Sequence, residues 1–172
     1  MELLKIITEE EIYPELKTSR ASANKFRRAV RAVVFDGGSK VALINVSKHN
    51  YYKLPGGGID ANETMEDALK RECSEEIGCN VAIGSEIGRI IEHRDKIETD
   101  QESDCYLAKL VGKKGKTNLV GYEITDGFEP VWVDIDEAIK LVENSKPDTY
   151  DGPFIKIRDL IFLRKAKDLL KK

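Results

Sequence analysis

The sequence predicts an α/β fold in which a mixed sheet packs between helices. Short runs rich in valine and isoleucine lie between glycine-containing turns, a pattern typical of strands. Residues 64–77 instead repeat apolar side chains every three or four positions, which is typical of an amphipathic helix. Two more helical patterns follow toward the C-terminus. Strands mixed with three helices indicate helices covering a sheet.

Five segments have the composition of strands, at residues 30–35, 41–46, 81–92, 104–111 and 130–133. The first two flank the turn DGGS at residues 36–39, which predicts a hairpin. Gly84 and Gly88 are expected to interrupt the third strand, since glycine inside a strand often marks a bulge.

Three helices complete the prediction. The first begins near Thr64 and ends at Gly78, a residue type that commonly follows the last helical turn. The second covers residues 136–144. The third covers about residues 153–170, with Pro153 in its first turn, where proline is tolerated.

Length and charge restrict the class of protein. The 172 residues are enough for one domain, expected to span residues 1–172. Lysine and arginine number 28 and aspartate and glutamate 31, which gives a net charge of −3. This balance argues against a nucleic-acid polymer as partner, because phosphate backbones are bound by basic surfaces. We see no apolar run of the roughly 20 residues that cross a membrane and no secretory signal pattern, so we expect a cytoplasmic protein without a membrane partner.

The cysteines and histidines predict neither a disulfide framework nor a zinc site. Cys73, Cys79 and Cys105 form no CxxC pair, and their odd number favours reduced, partly buried thiols. His49 and His93 are far apart in the sequence, without the spacing of zinc ligands.

The helix at residues 64–77 carries an unusual group of acids, Glu72, Glu75 and Glu76. At roughly 100° per residue, Glu76 falls between Met65 and Leu69, at the edge of the apolar stripe. Carboxylates this close repel one another, and a divalent cation such as Mg²⁺ would offset the repulsion. The alternative is a surface helix that is merely rich in glutamate. Because a glycine-rich turn precedes the helix and could present amides to phosphate, a phosphate-and-metal site is favoured.

Residues 57–79 read GGIDANETMEDALKRECSEEIGC. This segment resembles the Nudix box, with Gly57 and Glu63 followed by Arg71-Glu72, Glu75-Glu76 and Gly78 at the family's spacing. The resemblance implies a Nudix-type α/β/α sandwich and hydrolysis of a nucleoside diphosphate linked to another group, with Mg²⁺ or Mn²⁺. It implies that the metal ligands are the carboxylates of Glu72, Glu75 and Glu76 and the carbonyl of Gly57. It further implies that Arg71 and Glu63 brace the loop against the helix.

Substrate recognition is expected outside the shared motif. Basic and aromatic residues near the glycine loop are candidates for contacts with phosphate and base, and ordinary solvent-exposed side chains are the alternative. The candidates are Arg28, Arg31, Lys53, Tyr52, Gly56 and Gly57. Motifs that select ADP-ribose or dinucleoside polyphosphates in the family do not occur, which favours a nucleoside triphosphate or a similar small nucleotide as the partner.

The general base is the least determined part of the prediction. Glu72 is the candidate within the motif, and Glu102, Asp104 and Glu129 are candidates outside it. Glu129 is preferred, because it begins a strand beside a glycine-containing loop. We therefore expect a Mg²⁺-dependent pyrophosphohydrolase, with a catalytically silent nucleotide-binding or regulatory module as the alternative. A homodimer is left open.

Overall fold

The computed structural model describes residues 1–16 and 25–171. Seven strands are described: β1 (Leu3–Thr8), β2 (Lys25–Phe35), β3 (Lys40–Val46), β4 (Tyr51–Lys53), β5 (Asn80–Arg94), β6 (Thr99–Val111) and β7 (Phe128–Asp134). Five α-helices are described with them: α1 (Glu9–Ile12), α2 (Met65–Ile77), α3 (Tyr122–Thr125), α4 (Ile135–Asn144) and α5 (Gly152–Leu169).

The strands form one mixed sheet in the order β1-β5-β6-β2-β3-β4, and β7 pairs with β3. β1 runs parallel to β5 and β2 runs parallel to β6, whereas the other pairs are antiparallel. The register of β5 against β6 shifts between Ile83 and Gly88. The mixed sheet and the interrupted third strand confirm the sequence prediction.

Helices cover both faces of this sheet, so the layers are α/β/α as expected. Side chains of successive β2 residues alternate between the two faces, as in any strand. Val34 packs in the core beneath α2, together with Leu69 and Cys73. Val33 packs on the opposite face, in a second core beneath α4 and α5 that includes Phe162.

The predicted segments appear with small changes in their ends, but two strands were missed. β6 begins at Thr99 rather than at residue 104, because its first half is polar and lacks an apolar run. β4 has only three residues, which are too few to show an alternating pattern in the sequence. β1 was missed because it is short and the acidic segment that forms α1 follows it directly.

The helix α2 and the loop before it are fixed by local contacts. The Thr64 hydroxyl accepts a hydrogen bond from the Asp67 amide at 3.1 Å and caps the first turn. Gly78 ends the helix with a φ of 64°, a conformation that favours glycine. The glycine loop extends along β2, where the Val30 amide donates to the Gly57 carbonyl at 2.9 Å and the Ala32 amide donates to the Pro55 carbonyl at 3.1 Å.

None of the helices in the described residues has both the length and the apolar character that a membrane crossing requires. The three cysteines are buried and unpaired, as the sequence predicted.

Candidate active site

Three buried carboxylates meet beside the glycine loop. Glu72 and Glu76 lie one turn apart on α2, and Glu123 reaches them from α3. One carboxylate oxygen from each lies within 4.8 Å of the others. Their negative charges repel strongly at this separation in a buried site, and a divalent cation would neutralise the repulsion. An all-oxygen donor set of this kind fits a hard cation such as Mg²⁺ or Mn²⁺.

The glycine loop lies directly against these acids. A Cβ on Gly57 would overlap the Glu72 carboxylate, so only glycine allows the backbone to come this close. The Gly56 amide donates to Oε2 of Glu76 at 2.8 Å. The Gly57 carbonyl accepts a hydrogen bond from Val30, which leaves its second lone pair for another ligand. The loop therefore brings backbone donors and acceptors to the edge of the acidic group.

Lys53 partly neutralises the most buried acid. Its Nζ lies 2.6 Å from Oε1 of Glu76 and 4.7 Å from the centre of the Phe128 ring. Burial raises the pKa of Glu76, while Lys53 and the Gly56 amide act in the opposite direction. Lys53 and the Gly56 amide therefore hold the two carboxylate oxygens of Glu76 in place within the site.

Arg71 joins the helix to the loop. Its Nε and Nη2 donate to the two carboxylate oxygens of Glu63 at 2.8 and 3.0 Å, and Nη2 also donates to the Gly58 carbonyl at 3.1 Å. The hydrogen bonds from Arg71 lower the pKa of Glu63. Arg71 is half-buried beside the acids of α2.

The same guanidinium holds the other acids of the motif. Nη1 of Arg71 donates to Glu72 at 2.9 Å and to Glu75 at 3.3 Å. Glu75 is half-buried and lies beside the group formed by Glu72, Glu76 and Glu123 rather than within it. Arg71 thus orients one member of the acidic group and one neighbour.

A cavity of about 400 Å³ opens next to the glycine loop. Four predicted substrate-contact residues line it, namely Arg31, Lys53, Gly56 and Gly57. Other residues also line it, among them Arg27, Tyr51, Arg94, Gln101, Tyr122, Phe128 and Arg158. Arg94 and Arg158 were missed because their strand and helix lie far along the chain and carry no motif.

Arg28 and Tyr52 are placed away from this cavity, which corrects the prediction. Arg28 is largely exposed, with Nε 3.7 Å from the Glu102 carboxylate. Tyr52 packs on the side of α4 and α5, and its amide donates to the Ser145 hydroxyl at 3.1 Å. On each of the two strands, the predicted residue outside the cavity lies an odd number of positions from one that lines it, so the two project to opposite faces of the sheet. Arg31 and Tyr51 are the members that line the cavity.

Glu129 is also placed away from the acidic group. It is exposed, and on β7 it shares the parity of Val131 and Val133, which pack on the α4 and α5 side. Of the other outside candidates, Glu102 and Asp104 pair with Arg89. The acid that does reach the site is Glu123. Its sequence signal is weak: one acid between Tyr122 and Ile124 in a segment without periodicity.

The chain is similar in sequence to known proteins. The model of the NUDIX domain matches residues 25–152. An RNA pyrophosphohydrolase of Sulfurovum sp. (strain NBC37-1) is 36% identical over 109 residues, which cover 59% of this chain and 69% of that protein. A putative 8-oxo-dGTP diphosphatase of Bacillus subtilis (strain 168) is 32% identical over 97 residues, which cover 56% of this chain and 57% of that protein.

The fold has solved counterparts as well. A NUDIX hydrolase from Nitrosomonas europaea superimposes with a TM-score of 0.58 at 19% identity, over 78% of this chain and 88% of that one. This likeness supports the fold alone. Because the domain model covers most of the chain and includes the glycine loop, α2 and Glu123, the chain belongs to the Nudix family of hydrolases.

Proposed function

We propose that this chain acts as one catalytic domain, a pyrophosphohydrolase that depends on Mg²⁺ or Mn²⁺ and cleaves a diphosphate linkage in a nucleoside triphosphate or nucleotide derivative. The observation that carries the proposal is the group of Glu72, Glu76 and Glu123 beside a cavity lined by cations. Acids for a metal and cations for phosphate are adjacent, which is the arrangement that pyrophosphate hydrolysis requires.

The metal ligands in this proposal are Glu72, Glu75, Glu76 and the Gly57 carbonyl. Glu75 would contribute by moving away from Arg71, since its carboxylate is more exposed than those of Glu72 and Glu76. When bound, a divalent cation neutralises phosphate charge and lowers the pKa of the attacking water.

The protein's own groups then bind the substrate and accept the proton. Lys53 and the glycine-loop amides hold phosphate oxygens near the acids. Glu123 is the proposed proton acceptor, because the one hydrogen bond described for its carboxylate comes from the Val120 amide, at 2.8 Å. Glu76 already accepts hydrogen bonds from Lys53 and Gly56, and Glu72 accepts one from Arg71, so both carboxylates are engaged by positively charged side chains of the protein.

The substrate class follows from phosphate chemistry and from the related proteins. Their names are RNA pyrophosphohydrolase and putative 8-oxo-dGTP diphosphatase, which refer to RNA and to an oxidised nucleoside triphosphate. A free nucleoside triphosphate is the first candidate, in line with the chain's net charge of −3. A 5′-triphosphorylated RNA end is the second, favoured by the name of the Sulfurovum protein.

The test is a substrate panel with Mg²⁺, with Mn²⁺ and with chelator. It contains dNTPs, oxidised dGTP, ADP-ribose, nucleotide sugars, dinucleoside polyphosphates and a 5′-triphosphorylated RNA. We expect metal-dependent release of phosphate or pyrophosphate, which Glu72→Gln abolishes. Glu66→Gln is the matched control, because Glu66 is an exposed acid on the same helix, paired with Lys70. Nucleotide binding without turnover of any substrate would instead support the silent-module alternative.

A further inference from the structure

Arg31 is a buried guanidinium in the wall of the active-site cavity. It lies within β2 between Val30 and Ala32, which are fully buried, and is itself only 6% exposed. Its side chain lines the cavity on the face of the sheet that α5 covers. A charged group in this position requires a compensating partner, because transfer of an ion out of water is costly.

The other buried cations of the cavity each have a carboxylate partner. The pairs are Lys53–Glu76 at 2.6 Å, Arg94–Glu92 at 2.7 Å and Arg158–Asp159 at 2.7 Å. Arg31 has no ion pair with any residue that the structure describes. The only side-chain hydrogen bond it makes in residues 1–16 and 25–171 runs from Nη1 to the Val30 carbonyl at 3.2 Å, and its Nε has no acceptor there.

This cation remains charged under ordinary conditions. Burial, followed by the repulsion from Arg158, lowers the pKa of Arg31 to about 10, while the more distant charges of Asp159 and Glu76 act in the opposite direction without forming an ion pair with it. The guanidinium is therefore still protonated at neutral pH. The ligand-free protein thus contains a buried positive charge that no described residue pairs with.

A second cation, Arg27, lies close by, and among residues 1–16 and 25–171 the described partner of its side chain is neutral. Nη1 of Arg27 donates to the side-chain oxygen of Gln101 at 3.2 Å. The glycine loop passes between these arginines and the acids. A Cβ built on Gly56 would lie 2.9 Å from the Arg31 Cα, and one built on Gly58 would lie 3.2 Å from Nη2 of Arg27, whereas Gly57 abuts Glu72.

We propose that Arg31, assisted by Arg27, forms a subsite for a phosphate oxyanion that lies beyond the cleaved diphosphate linkage. This assignment rests on the proposed function, which places the cleaved linkage at Glu72, Glu76 and Glu123. A substrate that follows the glycine loop from the acids to Arg31 has at least three phosphates. The third phosphate comes either from a free nucleoside triphosphate or from the phosphodiester that follows the first nucleotide of RNA.

The first experiment measures binding without turnover. Tripolyphosphate is titrated calorimetrically into metal-free wild-type protein and into Arg31→Met. Loss of a charge-assisted contact should weaken binding about 10- to 100-fold. Arg164→Met is the matched control, because Arg164 is an exposed arginine of α5 paired with Glu143. Equal affinities of the two variants, or no binding by the wild type, would overturn the proposal.

Stability separates a ligand-binding role from a structural one. Arg31→Met removes an unpaired buried charge, so its apo form should unfold at a higher temperature than the wild type. A lower unfolding temperature would assign Arg31 to the framework and contradict the subsite. Should the methionine variant aggregate, Arg31→Lys provides the same binding comparison with the charge kept and the planar donor fork removed.

Kinetics then identify the source of the phosphate. If the ligand of Arg31 is a phosphate of a free nucleoside triphosphate, Arg31→Met should raise the KM for GTP. If the ligand is the phosphodiester of RNA, the variant should raise the KM for the dinucleotide pppApG alone. In both cases the KM for a nucleotide sugar with two phosphates should be unchanged. An equal rise for the nucleotide sugar contradicts the subsite while leaving the proposed hydrolase intact. Absence of turnover by the wild type on every substrate contradicts the hydrolase, and the tripolyphosphate titration still decides the subsite.

Discussion

Glu123 brings a third buried carboxylate to the acids of α2 from a separate element. In Glu123→Gln, the amide oxygen still accepts the Val120 hydrogen bond, so the α3 segment should stay folded. If Glu123 is the proton acceptor, kcat should fall about 100- to 10,000-fold. The acidic limb of the pH–rate profile at saturating Mg²⁺ should disappear with it.

Glu129→Gln is the control for this experiment. Glu129 is exposed and shares the parity of residues that face away from the acids, so its variant should keep both kcat and the acidic limb. Loss of the limb in Glu129→Gln but not in Glu123→Gln would reverse the assignment. If the acidic limb of the pH–rate profile is lost only in Glu72→Gln, the general base is Glu72.

Arg71 connects the loop to α2 through the shape of its guanidinium as well as through its positive charge. Its planar guanidinium contacts both oxygens of Glu63, the Gly58 carbonyl and Glu72 at once. A lysine ammonium cannot reproduce these divergent contacts. We expect Arg71→Lys to lower metal affinity or activity about 10- to 100-fold, as is typical when a group that orients a metal ligand is removed.

The measurement is kcat/KM as a function of Mg²⁺ concentration. Arg164→Lys makes the same substitution at an exposed position of α5 and should behave as the wild type. Wild-type activity of Arg71→Lys at all Mg²⁺ concentrations would show that the brace does not control the acids.

At the scale of elements, the end of α2 is joined to the segment that leads to Glu123. The Gly115 amide donates to the Gly78 carbonyl at 2.8 Å, and the Asn118 amide donates to the Glu75 carbonyl at 2.8 Å. Gly78 has a φ of 64°, and a Cβ on it would lie 2.6 Å from the Gly115 carbonyl oxygen. The helix cap therefore also holds the neighbouring segment in place.

Gly78→Ala should consequently destabilise the fold and weaken the metal site. The left-handed backbone alone costs a residue with a Cβ about 1–2 kcal/mol, and displacement of the segment adds to this. Thermal unfolding and a Mg²⁺-induced shift of Tm measure the two effects. Gly37→Ala is the control, because a Cβ there meets nothing within 4 Å. Equal stability of the two variants would exclude the coupling.

The sequence predicts a helix well where a repeating apolar pattern occurs together with capping residues at the helix ends. α2 has an apolar stripe, a capping threonine and a terminal glycine, and its bounds were correct to one residue at the N-terminus. β6 was only half predicted, because its first half is polar and its buried Gln101 is satisfied by Glu92 of the neighbouring strand β5. Such pairing depends on tertiary neighbours, which a local pattern does not contain.

At the scale of the whole molecule, the sequence predicted the layers and the motif but not the cavity. Residues 57–79 contain Glu72 and Glu76, whereas Glu123 is brought to the site by α3 and Arg158 by α5. The strand faces were also undetermined, since a continuous apolar run such as that of β2 is buried on both sides. This is why Arg28 was placed in the cavity by prediction and outside it by the structure.

A buried polar network attaches α5 to the glycine loop. Asp159 accepts hydrogen bonds from the Leu54 amide at 2.8 Å and from Nε of Arg158 at 2.7 Å. Arg158 also approaches Glu92, which in turn binds Arg94 at 2.7 Å. Because the cavity lies between α5 and the loop, this network holds two of its walls together.

Asp159→Asn should therefore lower stability by about 3–5 kcal/mol, the usual cost of leaving a buried charge without its partner. In Asp159 each carboxylate oxygen accepts one of these hydrogen bonds, whereas asparagine has a single acceptor oxygen. Its NH₂ group, a donor, then faces either the Leu54 N–H or the Arg158 guanidinium, which are also donors. Urea unfolding measures the change, and Asp168→Asn, at an exposed position of the same helix, should stay near the wild type. A shift of the midpoint no larger than that of Asp168→Asn would show that the loop and α5 are held by apolar packing alone.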